Sequence, residues 1–367
     1  MIKSVNKNLR RLRALKGLDQ GELANAAGIS RNAYRAMETG ASEPRVGNLQ
    51  KVAEALGVPM VELFREVPQL KTLRFRSLKT RSAQQEAERD EIVTRVALWL
   101  KDFTELEREL GNKSPLRIQG LIGKESNPVL MARRVREKFD LAPDAPVTDI
   151  CDEMEEAGIK LMLTPSKSEV FFGLSVGLDD EGPAVAINTR SDIPVERRIF
   201  STAHELGHLL LHPGSYDGEM VEESEKAPEE KQANIFASHF LMPQEAFEAK
   251  WNEYAGLHFV DRIMKMKRHF LVSYKTVLHR LIELGVVDKD IWRVFGKFYQ
   301  FRFHKPLKGP KDEPFPLTEP DFREDRLDLL VRQAWEKRLI SLDRAAEILG
   351  LSLEDMRERM ESWAAVP

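Results

Sequence analysis

Two histidines four residues apart, His204 and His208, enclose Glu205 in the run Phe200-Ser-Thr-Ala-His-Glu-Leu-Gly-His-Leu-Leu-Leu-His212. In an α-helix such residues lie one turn apart on one face, so both imidazoles can reach a single tetrahedral metal ion, with Glu205 placed beside it. The run is therefore read as a helix. A metal held for chemistry needs a third protein ligand and one open position. His212 continues the same face, but three ligands stacked along one straight helix would span about 12 Å at 1.5 Å per residue, too far for bonds of about 2 Å. His212 is accordingly read as a cap or an outer support before Pro213 ends the helix. The pattern alone leaves the third ligand open among Glu219, Glu222, Glu223, Glu225, Glu229 and Glu230.

At 367 residues the chain is long for one domain, and two or three are expected. Its single cysteine, Cys151, excludes a disulfide framework and a cysteine-based zinc ribbon. No apolar run approaches the roughly 18 residues of a membrane span, and the basic start is not followed by a signal core. These features predict a soluble cytoplasmic protein with no membrane partner. The net charge is only -3, yet residues 1–66 hold 11 Lys/Arg against 7 Asp/Glu, and 67–85 add five basic residues and no acidic one. One end of the chain thus suits a polyanion.

Residues 8–64 read as five short helices. Asp19 and Glu22 form a capping box, Gly28 closes that helix, and Ser30 opens the next. Helix, tight turn and helix at this spacing make a helix-turn-helix, whose second helix enters the major groove. Ser30, Arg31, Asn32 and Arg35 are its outward residues, with Arg suited to guanine and Asn to adenine, and Gln20 is placed for a phosphate. The run from Gln20-Gly-Glu-Leu-Ala24 through Gly28-Ile-Ser30 and Met37-Glu-Thr-Gly40 to Leu56-Gly-Val58 and Leu63-Phe64 resembles the XRE/Cro family of DNA-binding domains. That resemblance implies double-stranded DNA as a partner and a homodimer.

A long helix is predicted over 86–111, then helices near 128–139 and 147–157. Strands follow at 159–164, 170–178 and 184–188, the last two joined by a hairpin turn at 179–182, with helices at 195–212 and 228–241. The run 170–178 is a candidate edge strand for an extended substrate. Ala157-Gly-Ile159, Ala186-Ile-Asn188, the His-Glu-x-x-His helix and Glu230-Lys-Gln-Ala-Asn234-Ile-Phe-Ala237 with Phe240-Leu-Met-Pro243 resemble the ImmA/IrrE family of metallopeptidases. The resemblance implies Glu230 as the third ligand of a Zn2+ ion, although a His/His/Glu set also accepts Mn2+ or another divalent metal. It implies Glu205 as the general base. Asn234 and His239 are candidate supports around the metal, His239 also for an oxyanion.

The expected architecture is multi-domain and mainly α, with an α+β zincin-like core. Its parts are a five-helix DNA-binding domain (1–66), a basic linker with a connecting helix (67–112), a peptidase core with a small sheet (113–257), a helical module resembling a second helix-turn-helix (258–300), a linker (301–320) and a helical C-terminal segment (321–367). In the ImmA/IrrE family standalone peptidases act on separate repressors. The implied partner is therefore a repressor-type protein, or the chain itself, with a non-catalytic sensor or an antitoxin holding a toxin-type protein as the alternative.

Overall fold

Sixteen α-helices and one four-stranded sheet make up a computed structural model that describes residues 2–76, 83–168, 171–216, 227–307, 309 and 312–364. The chain divides into two units. One comprises Met1–Leu70, Ser77–Lys101 and Ser168–Phe171, and the other Lys71–Arg76, Asp102–Lys167 and Phe172–Pro367. Among the described residues no helix is long and apolar enough to cross a membrane.

The first unit contains α1 (Ile2–Leu15), α2 (Gln20–Ala26), α3 (Arg31–Thr39) and α4 (Val46–Leu56), and then a short 3-10 helix over Met60–Leu63 in place of the fifth α-helix. Leu9, Leu23, Tyr34, Val52, Leu56 and Leu63 form its buried core. Asp19 accepts the N–H groups of Gly21 and Glu22, and the Glu22 carboxylate accepts that of Asp19, so the capping box predicted from sequence is present. Glu38 is buried on α3 and receives two hydrogen bonds from Arg13, at 2.8 and 2.9 Å, which fix α1 to α3. The division between the units falls within α5 (Ala83–Leu110).

The second unit contains β1 (Leu73–Arg76), α6 (Pro128–Lys138), α7 (Ile150–Glu156), β2 (Lys160–Thr164), β3 (Gly173–Val176), β4 (Ala184–Asn188), α8 (Val195–Leu211) and α9 (Ala227–Leu241). It continues through α10 (Gln244–Glu253), α11 (Phe259–Phe270), α12 (Tyr274–Glu283), α13 (Ile291–Phe303), α14 (Arg326–Glu336), α15 (Leu342–Leu349) and α16 (Leu353–Ala364). The sheet order is β1-β3-β4-β2, with β2 and β4 parallel and the other pairs antiparallel. This corrects two expectations. β1 arises in what reads as a linker, and β3 is an internal strand, so 170–178 offers no edge; Val170 itself lies outside the described residues.

The 301–320 segment is docked rather than a free spacer over its described part. The ammonium of buried Lys267 on α11 meets Glu196 at the start of α8 (2.8 Å), Glu313 (3.0 Å) and the carbonyl of Pro314 (2.8 Å). Arg326 and Arg344 bond Glu107 and Asp102 on the C-terminal part of α5, holding the last three helices to the unit.

One turn recurs three times. Gly28-Ile29-Ser30, Leu271-Val272-Ser273 and Gly350-Leu351-Ser352 each place the first residue in the left-handed region, at φ 63°, 53° and 64°. In each, the middle N–H returns to a carbonyl of the preceding helix (Ala24, Lys267, Ala346). Each serine then accepts the N–H three residues on, at 3.1 to 3.2 Å, and so caps the following helix. The two later helical pairs thus share this turn with the α2–α3 pair.

Glu155 on α7 is buried, and its carboxyl is pushed up to about 8, first by burial and then by the nearby Glu324, itself pushed up to about 7. Raised from an ordinary 4.5, the Glu155 carboxyl favours the folded state fully below that value, and the contribution is lost as pH rises to about 8. Relative to wild type, Glu155→Gln is therefore expected to gain stability progressively between about pH 4.5 and pH 8. Urea midpoints measured on both chains across this window check it; a difference that does not change with pH contradicts the assignment.

Candidate functional site

The α8 helix carries His204, Glu205 and His208 as predicted, and all three are buried. It packs on α9 through Gly207, where a Cβ would lie 2.9 Å from the Phe236 ring and 3.3 Å from the Ala233 Cα. Any larger residue would force Phe236 or α9 to shift. The close packing brings the first turn of α9 to the histidines, with Glu230 Oε2 3.2 Å from His204 Nε2 and Glu230 Oε1 3.2 Å from His208 Nε2. His204, His208 and Glu230 form a cluster whose ligand atoms all lie within 4.8 Å of one another.

The far side of each imidazole fixes its tautomer. His204 Nδ1 lies 2.9 Å from Asn234 Oδ1 and donates to it. His212 Nε2 donates to Gln232 Oε1 at 2.8 Å, which leaves His212 Nδ1 as the acceptor for His208 Nδ1–H at 2.9 Å. Both Nε2 atoms, 2.9 Å apart, therefore turn lone pairs toward each other and toward the Glu230 carboxylate. Acceptors so close repel unless a cation lies among them. Ligands at about 2.0 to 2.1 Å on a tetrahedral zinc would lie roughly 3.3 Å apart, so the donor set fits a divalent ion with little adjustment. Burial holds His208 well below its ordinary value, keeping it neutral, despite the opposing pull of Glu230.

Sequence reasoning missed Arg74. From β1 its guanidinium donates to Glu230 Oε1 at 3.0 Å and also bonds Glu229, whose other oxygen accepts the Ser215 hydroxyl at 2.6 Å. The alternation Leu73-Arg-Phe-Arg was the available signal, but four residues between basic neighbours do not single out a strand. Two other groups were also missed. The Tyr216 hydroxyl lies 2.9 Å from Ser175 Oγ, and Ser175 donates to Glu205 Oε2 at 2.7 Å. Burial pushes the Tyr216 phenol up, so it stays protonated and can donate to Ser175. Gly173, also on β3, admits the carboxylate, since a Cβ there would lie 3.2 Å from Glu205 Oε1.

Of the other candidates, Glu229 is on the first turn of α9 but faces Arg74, and Glu219, Glu222, Glu223 and Glu225 lie outside the described residues. His239 is not at the metal cluster: Arg280 donates to its Nε2 at 2.6 Å, and Glu283 is 3.1 Å from the same atom. In the first unit, Arg31, Asn32 and Arg35 are exposed on α3, and Ser30 caps it. Gln20 is turned to Glu38, to which its amide donates at 3.1 Å.

Residues 9–63 match the helix-turn-helix family, and residues 154–282 match the IrrE N-terminal-like domain. The chain is 40% identical over 55 residues to the cryptic phage CTXphi transcriptional repressor RstR of Vibrio cholerae, covering 15% of this chain and 50% of that one. It is 43% identical over 63 residues to the HTH-type transcriptional regulator y4dJ of Sinorhizobium fredii, covering 17% of this chain and 82% of that one. The chain thus spans half the length of the first of these relatives. A Mycobacterium tuberculosis transcriptional regulator shares 16% identity across 59% of this chain and 65% of its own, but the TM-score of 0.31 is too low to define a common arrangement. Through its N-terminal region the chain belongs to the helix-turn-helix transcriptional regulators, of XRE type. In the same chain it carries an IrrE-like peptidase domain.

Removing Gln232 (Gln232→Leu) would release His212 and then His208, and is expected to weaken zinc binding roughly 10- to 100-fold with the fold retained. Zinc titration against a competing chelator measures this, and unchanged affinity contradicts the relay. Gly207→Ala is expected to cost about 1–3 kcal/mol through overpacking against α9. Its urea midpoint checks that value.

Proposed function

We propose that this chain is a DNA-binding transcriptional regulator whose second unit is a zinc-dependent endopeptidase, acting in the cytoplasm on a regulatory protein that is either a separate repressor or the chain itself. The observation that carries the reading is the convergence of two unprotonated Nε2 atoms and one carboxylate, with a second buried carboxylate, Glu205, on the same helix.

His204, His208 and Glu230 would hold the ion. A zinc ion, when bound there, supplies the polarisation of a scissile carbonyl and the acidification of a water. Glu205 takes the proton from the attacking water and returns it to the leaving amine. Ser175 and Tyr216 hold one Glu205 oxygen in place, and Arg74 does the same for Glu230. With β3 internal, the sheet edge on that side is β1, the available place for an extended substrate. In the first unit Arg31, Asn32 and Arg35 project from α3 to read base edges, and a homodimer would set two such helices on paired half-sites.

Glu205→Gln is expected to reduce cleavage of a repressor-type substrate by at least about 100-fold while zinc content and DNA affinity stay at wild-type levels. Parallel cleavage, metal and duplex-binding assays test this; cutting that survives the substitution removes the mechanism. Arg31→Ala is expected to cost about 1–3 kcal/mol in operator binding. Fluorescence anisotropy on the full chain measures it, and a duplex affinity without salt dependence contradicts DNA binding through this face.

A further inference from the structure

The segment docked on α11 holds one residue in a conformation that its side chain disfavours. Phe315 lies at φ 50°, in the left-handed region that a bulky residue rarely enters, and is 55% exposed. Such a backbone persists where its surroundings over-determine it. Here the Lys267 ammonium binds the carbonyls of Pro314 (2.8 Å) and Phe315 (3.1 Å), and Glu196 Oε1 accepts the Leu317 N–H at 2.9 Å. Those bonds hold Phe315 at the mouth of a cavity of about 400 Å³ beside α11, a size suited to a small molecule.

The lining defines the guest. Leu257, Met264, Phe315 and Leu317 supply apolar walls. The charged groups away from solvent are already matched, Lys267 with Glu196 and Glu313, and Asp261 with Arg302 at 2.8 Å. Lys265 and Arg268 also line it but are exposed, where water screens them. A charged guest would therefore find no free counter-ion inside. One polar atom is left over. Glu196 is fully buried, Lys267 and Leu317 both use its Oε1, and its Oε2 has no hydrogen-bond partner among the described residues. An ionised carboxylate oxygen only accepts, so this atom calls for a donor.

We propose that the cavity is a binding site for a small uncharged aromatic molecule, about the size of indole, whose single N–H or O–H donates to Glu196 Oε2 while its ring packs against Phe315. A smaller cavity of about 210 Å³ that Glu196 also borders is lined by Asp192, Arg197, Lys275, Asp312 and Glu313, and suits an apolar guest poorly. Glu196 stands in the first turn of α8, so the guest bonds the helix that carries His204 and His208. The site is separate from the metal cluster and does not depend on the peptidase reading.

Equilibrium dialysis of the full chain against indole and N-methylindole tests this. Indole is expected to bind at least about tenfold more tightly, the effect of one hydrogen bond to a charged acceptor, and tryptamine and indoleacetate more weakly than indole. Glu196→Gln, which can set an amide donor where Oε2 stands, is expected to remove the advantage of indole and leave N-methylindole unchanged. Phe315→Gly takes away the ring and suits the backbone, and is expected to weaken both indoles about threefold or more without lowering the melting temperature. Met264→Trp fills the cavity and is expected to abolish both. Equal binding of the two indoles, tighter binding of either charged relative, or an advantage that survives Glu196→Gln overturns the proposal. Should Glu196→Gln fail to fold, the other two variants decide, since binding that ignores both places the guest elsewhere and overturns it as well.

Discussion

Repulsion among three acceptor groups organises the second unit. Two imidazole nitrogens 2.9 Å apart, each 3.2 Å from one carboxylate, form a poor cluster by themselves and a good cage for a cation. Everything near them preserves that arrangement. Asn234 and the His212-Gln232 pair take the remaining ring protons, so neither histidine can turn a donor inward. Arg74 balances Glu229 and Glu230 so that two adjacent carboxylates at the start of one helix can both stay ionised.

The fold serves the cage by close packing. Gly207 lets α9 lie against α8 near enough for Glu230 to reach both histidines, and Gly173 lets β3 approach Glu205. β1 contributes Arg74 from a position far from the histidines in sequence, and its register places that residue opposite Ser175, which holds Glu205. One strand pair thus supports both Glu230 and Glu205.

Local features were legible in the sequence because their causes are local. The capping box at Asp19, the Ser30 cap and the histidine spacing on α8 all depend on residues within two turns. The place of Glu230 beside the two histidines was not legible by spacing, since it sits on a separate helix among several acidic residues; only the family resemblance separated it. β1, and with it Arg74, was hidden because a four-residue strand draws its stability from a partner about 100 residues away. The amide of Gln20 suited a phosphate by position, but it is drawn to the buried charge of Glu38, a contact set by the packing of α3. The edge role expected for β3 failed for the same reason as β1 was missed, because β1 occupies that edge.

X-ray absorption at the zinc edge on the purified full chain probes the cage most directly. Four light-atom ligands at about 2.0 to 2.1 Å, with scattering from two imidazoles, are expected. A six-coordinate oxygen shell, a zinc–sulfur distance, or a chain that takes up no zinc would contradict a centre built from His204, His208 and Glu230.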